Sequence, residues 1–102
     1  MSRHITVLSE VHDALILKDT LNQMGVKYTE VSDDVISIQR SYHSIMIDTN
    51  TDKISCDEAN ASEVEEIKYQ YSINFYKDQA IKEGNSVTEE VTADGETVIY
   101  IN

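Results

Sequence analysis

Residues 62–84 read SEVEEIKYQYSINFYKDQAIKEG and residues 85–102 read NSVTEEVTADGETVIYIN, and the change of period between them decides the fold. The first stretch opens with Ser62 and Glu65 at capping-box spacing, in which the serine accepts from a free backbone amide and the glutamate reaches back to another. It closes at Gly84, the residue type that tolerates a left-handed end to a helix. At about 100° per residue, Val64, Ile67, Tyr71 and Phe75 form one apolar stripe, while Tyr69, Ile73, Tyr76 and Ala80 form a second, roughly opposite. One stripe must cover a sheet. The other needs its own cover, either an earlier helix or a partner. After Gly84 the period falls to two, and residues 87–91 and 98–101 read as strands joined around Asp94-Gly95, a two-residue hairpin signal.

Upstream, the β-branched run at residues 4–8 suits a first strand. In residues 11–25, VHDALILKDTLNQMG, Val11, Ala14, Leu17, Leu21 and Met24 recur at helical spacing and Gly25 stands at the C-terminal cap, so a first helix is expected. Ser9 is its candidate N-cap, with Asp13 in the first turns complementing the helix dipole. From Val26 the period changes to two. Val26, Tyr28 and Val31 alternate with polar residues, Asp33-Asp34 makes a turn, and residues 35–39 and 44–48 read as strands with Ile36, Ile38, Ile45 and Ile47 on matching faces. A short strand at residues 54–57 would turn Ile54 and Cys56 inward. The order β-α-β-β-β-(β)-α-β-β predicts an α+β layer fold: a single domain over residues 1–102, with two helices on one face of a mostly antiparallel sheet.

Composition narrows the function. The 102 residues carry 8 Lys and Arg against 19 Asp and Glu, a net charge of -11, with no Pro, three Gly and one Cys. A basic patch able to release counterions from nucleic acid has little to be built from, so direct nucleic-acid binding is not expected and a partner should present a basic surface. The charge is uneven. Residues 1–56 hold five basic and eight acidic groups, residues 57–102 three and eleven. A lone Cys56 suits a reducing compartment, no apolar run approaches a membrane span, and a cytoplasmic location is expected.

No motif carries chemistry. Asp48, Asn50 and Asp52 take the first, third and fifth positions of a calcium loop, but Lys53 replaces the turn glycine and Ala59 the bidentate glutamate, so turn chemistry accounts for them. His4, His12, His43 and Cys56 lack zinc spacing, and a lone cysteine is commonly buried as a small hydrophobe. There is no nucleophile elbow, phosphate-cradling loop or dinucleotide fingerprint, and adjacent glutamates do not place two carboxylates across a substrate. We expect no enzyme, no metal and no cofactor.

Tyr71, Ala80, Gly84, Val87, Glu89-Glu90, Asp94-Gly95 and the final VIYI, together with the N-terminal MS, Thr6, Asp13, Leu21 and Gly25, carry a resemblance. In their order and spacing the chain resembles the domain-of-unknown-function 1257 family, named also for conserved chloroplast open reading frame thirty-five. Members of that family often carry tryptophans after the central strands, and this chain has none. The resemblance implies a small α+β protein, without catalytic residues to carry over, working through partners in a cyanobacterial, plastid, bacterial or phage setting; if phage-encoded, it would act in the host cytoplasm. Relatives often occur near AAA-type ATPases.

The expectation is a small acidic, non-enzymatic binding or adaptor protein, with self-association compatible, docking through Tyr69, Ile73 and Tyr76 with acidic residues around them. A competing expectation is a phage-type inhibitor of a host defence or nucleic-acid enzyme, with Glu63, Glu65, Glu66, Glu89, Glu90, Asp94 and Glu96 standing in for phosphates. A third is a small-ligand or nucleotide sponge, which needs a concave pocket with several donors.

Overall fold

Isoleucine at every second position is the local instruction for the central strands. The computed structural model describes residues 4–8, 11–41 and 43–101, with side chains left aside at residues 4–8, 99 and 101. Strands β1 (His4–Leu8), β2 (Thr29–Glu30), β3 (Val35–Ile38), β4 (Ile45–Asp48) and β5 (Lys53–Asp57) form an antiparallel sheet in the order β1-β5-β4-β3-β2. The register sets Ile36 opposite Ile47 and Ile47 opposite Ile54, with Ile38 opposite Ile45. These isoleucines and Cys56 are all buried, whereas Val35, Ser37, Met46, Asp48 and Ser55 on the alternate positions stay half-exposed. The sheet therefore has one apolar face, as a period of two requires. Thr49 closes the β3–β4 pair by sending both its backbone N–H (2.8 Å) and its hydroxyl (2.9 Å) to the Asp34 carbonyl.

Helix α1 (Ala14–Met24) buries Ile16, Leu17, Thr20 and Leu21. Its N-cap is Asp13, whose carboxylate accepts from the backbone N–H of Leu15 (2.9 Å) and Ile16 (3.1 Å). The sequence expectation began the helix earlier. Val11 is buried but precedes the helix, and Ser9, expected as the cap, lies outside the described residues. Asp13 is thus the cap itself, with a short side chain that reaches the free amides directly. The helix ends in a Schellman motif: Gly25 is left-handed at φ 73°, Val26 N–H donates to the Leu21 carbonyl and Gly25 N–H to that of Asn22.

Helix α2 (Ala61–Lys82) follows β5 through a 3₁₀ turn at Glu58–Asn60. The buried Asp57 caps that turn by accepting from Ala59 N–H at 2.9 Å, which corrects the capping box expected at Ser62 and Glu65. The turn has already wound the chain, so α2 begins at Ala61, with Ser62 exposed inside it. The strand expected across residues 26–31 is only Thr29–Glu30.

A second sheet pairs β6 (Val87–Val91) with β7 (Thr97–Ile101). Thr92 N–H donates to the Glu96 carbonyl (2.8 Å) and Gly95 N–H to that of Thr92 (3.0 Å), while Gly95 is left-handed at φ 84°. This is a three-residue loop with a type I turn and glycine bulge, one residue longer than the Asp94-Gly95 signal alone suggests. The chain, expected to be a single domain, groups into two compact units, residues 1–71 and 72–102, and the division falls inside α2 instead of at a linker.

Candidate interaction surface

In the first unit, α2 buries Val64, Ile67 and Tyr71. The Tyr71 hydroxyl accepts from the backbone N–H of His12 (3.2 Å) and Asp13 (3.1 Å), fastening this part of α2 to the start of α1. Burial pushes its ionisation above the ordinary tyrosine range, and the two amides oppose that shift. Tyr69 is 41% exposed.

In the second unit Ile73 is 7% exposed and Ala80 is also buried, whereas Tyr76 is 60% exposed and meets the edge of Phe75 with ring centroids 5.8 Å apart. The stripe Tyr69, Ile73, Tyr76 is therefore corrected: burial removes Ile73 from it and leaves tyrosine on the surface of each unit. Sequence reasoning did not single out Ile81, Val91 and Tyr100, all exposed in the second unit. For Val91 the signal was present in VTEEV, where adjacent glutamates occupy both strand faces and leave β6 without a wholly apolar side.

The acidic set divides between the units. Glu63 is held by Arg40, whose Nε donates to Oε1 at 2.8 Å and whose Nη2 donates to Oε2, a fork matched to a carboxylate. The guanidinium holds the Glu63 carboxyl below its ordinary value, against the opposing effect of burial, and the same pairing raises Arg40. Glu65 lies 3.7 Å from Lys68, and Glu66 accepts from Gln70 at 3.4 Å. In the second unit Lys77 Nζ binds Glu89 at 2.9 Å, tying α2 to β6, while Glu90, Asp94 and Glu96 are exposed. Thus Glu63 and Glu89 already hold cations of their own, and the other members of this set in the second unit, Glu90, Asp94 and Glu96, are left exposed.

The remaining candidates resolve into local structure. Asp48 accepts from the backbone N–H of Asn50 (3.0 Å) and Thr51 (3.2 Å), making a turn of the residues that resemble a calcium loop. Asp52 takes a left-handed φ of 58° and its carboxylate pairs with His12. Burial raises the Cys56 thiol above its ordinary value, with the Asp57 charge adding to the shift, so it is poorly suited to form a nucleophilic thiolate. Among the described residues no group of three or more His, Cys, Asp and Glu could hold a metal ion, and no helix is long and apolar enough to cross a membrane. An open depression of about 480 Å³ is lined by Asn22, Gly25, Val26, Lys27 and Tyr28. With Lys27 as its one cationic side chain, it has few donors for a nucleotide.

Comparison with protein-family models, with curated proteins and with solved structures finds no match to this chain.

Proposed function

We propose that the protein is a non-enzymatic binding protein that docks a basic protein surface through the 72–102 unit, with Tyr76 as the aromatic anchor. The observation that carries this reading is the exposure of Tyr76 on a helix segment whose neighbouring apolar residues, Ile73 and Ala80, are buried. Tyrosine gives rigid amphipathic contact area at low entropic cost, and exposed apolar groups among polar ones suit a docking surface. Exposed Glu90, Asp94 and Glu96 in the same unit favour a partner with Lys or Arg. The resemblance to the domain-of-unknown-function 1257 family supports a protein that works through partners.

The test is affinity capture from the native host with wild type and Tyr76→Ala, each checked by thermal melting. The variant should lose capture by about tenfold or more while its stability changes by under about 0.5 kcal/mol. A variant that captures the partner as well as wild type sinks the reading, as does one that melts several degrees early. Salt separates the inhibitor alternative. A complex that survives 0.5 M salt favours the apolar anchor, whereas one lost with salt and competed by nucleic acid favours phosphate mimicry.

A further inference from the structure

The loop between β6 and β7 holds the one position in the chain where an aspartate or asparagine precedes glycine, Asp94-Gly95. Both residues are exposed, and a methyl group at Gly95 would meet nothing within 4 Å. The Asp94 side-chain carboxyl carbon can reach the Gly95 backbone nitrogen by closing a five-membered ring, and glycine puts no side chain in the way. Every other aspartate is followed by a residue with a side chain. The carboxylates of Asp13, Asp48 and Asp57 also accept from backbone amides, and Asp19 and Asp78 lie inside helices. At the hairpin loop the obstacle is different. Gly95 N–H donates to the Thr92 carbonyl at 3.0 Å, so its nitrogen is available only when that turn opens. Exposed loop tips open more readily than a buried sheet.

We propose that Asp94-Gly95 is a site of spontaneous isomerisation to isoaspartate, gated by opening of the Thr92–Gly95 turn. The Gly95 nitrogen attacks Cγ of Asp94; an N–Cγ bond forms, and a carboxyl oxygen departs as water with the amide hydrogen and a solvent proton. The product is a cyclic succinimide. Water then adds at the main-chain carbonyl carbon of Asp94 and breaks its bond to the Gly95 nitrogen, so the backbone now runs through Cβ and Cγ. No electrons are transferred, and mass and net charge are unchanged. The main chain gains one methylene inside a three-residue loop whose closure depends on residue count. That closure is the Thr92 N–H to Glu96 carbonyl bond at 2.8 Å, with Gly95 left-handed at φ 84°. The added carbon spoils it and loosens the adjoining end of the β6–β7 ladder. The chemistry lies within one loop, needs no partner and stands independently of the docking reading.

The test is incubation of the protein for a month at physiological temperature and neutral pH, folded and in guanidinium chloride. Trypsin then releases residues 83–102 as one fragment, since Lys82 is the last basic residue. A second form of this fragment, of unchanged mass, should accumulate with isoaspartate at position 94. Deamidation at Asn85 would raise the mass and is thereby distinguished. Isomerisation should be slower in the folded protein, and by the same factor, to within about threefold, as hydrogen exchange of the Gly95 amide, because both need the same turn to open. Asp94→Glu should lack the product. The isolated isoaspartyl protein should exchange the Thr92 amide faster than wild type, with amides of β4 unchanged. Isomerisation in guanidinium but none in the folded protein overturns the proposal. Equal rates in the two, or a product at another aspartate and not at Asp94, overturn it as well.

Discussion

Replacing Tyr71 by Phe removes one oxygen and, with it, the acceptor for two backbone amides at the start of α1. The ring keeps its buried position, so packing is conserved and the hydroxyl is isolated as the cause. Each neutral hydrogen bond contributes about 0.5–1.5 kcal/mol net, and a buried donor left unpaired costs about 1–3 kcal/mol. His12 is exposed and Asp13 half-exposed, so water can replace part of what is lost. We expect about 1–2 kcal/mol of destabilisation, at roughly 4–8 °C of melting temperature per kcal/mol for a chain of this size. Urea unfolding measures the change, and amide exchange locates it. His12 and Asp13 should exchange faster, while amides of β4 shift only as far as global stability does. Tyr71→Ala adds a cavity and should cost about 3–5 kcal/mol. A Tyr71→Phe protein within about 0.3 kcal/mol of wild type, with unchanged exchange at residues 12 and 13, would refute the claim that this hydroxyl fastens α2 to α1.

Two further changes test particular contacts. Glu63 is held below its ordinary carboxyl value by Arg40, so its contribution is fully present above about pH 4.5 and is lost as pH falls through the lowered folded value. Glu63→Gln should therefore be less stable than wild type at pH 7, by about 1 kcal/mol for this partly exposed pair, and the two should converge in acid when urea midpoints are followed against pH. Gly25→Ala meets open space, so its cost is the left-handed backbone alone, about 1–2 kcal/mol by denaturation, with Gly25→Asn costing less.

The central strands were legible because burial on one face forces alternation: Ile36, Ile38, Ile45, Ile47 and Ile54 sit where a period of two puts them. Helix boundaries were less legible. Val11 fits the apolar spacing of α1 and is buried, yet it precedes the helix, since spacing alone does not distinguish a residue packed before the cap from one packed after it. At α2 the Ser62 and Glu65 pattern competes with Asp57, which comes first along the chain and caps a 3₁₀ turn that the pattern does not reveal. The Glu63–Arg40 fork spans 23 positions between a residue after β3 and the start of a helix, so no local signal predicts it.

The two apolar stripes of α2 explain why its surface was the hardest part to read. A helical wheel assigns each stripe one fate along its whole length, but burial changes partway. Residues 61–71 bury the first stripe at Val64, Ile67 and Tyr71 and leave Tyr69 of the second exposed. Residues 72–82 bury the second stripe at Ile73 and Ala80, while Phe75 of the first is half-exposed. The helix of about six turns thus acts as two segments of about three turns, each with its own buried face. A chain can change compact units inside such a helix without a flexible linker, which accounts for the absence of a Gly- or Ser-rich break near residue 71. The same division separates two residues that the sequence reading treated as one docking stripe. Ile73 is buried in its segment, Tyr76 is the exposed remainder, and substitutions at the two should fail differently: Ile73→Ala in stability, Tyr76→Ala in binding.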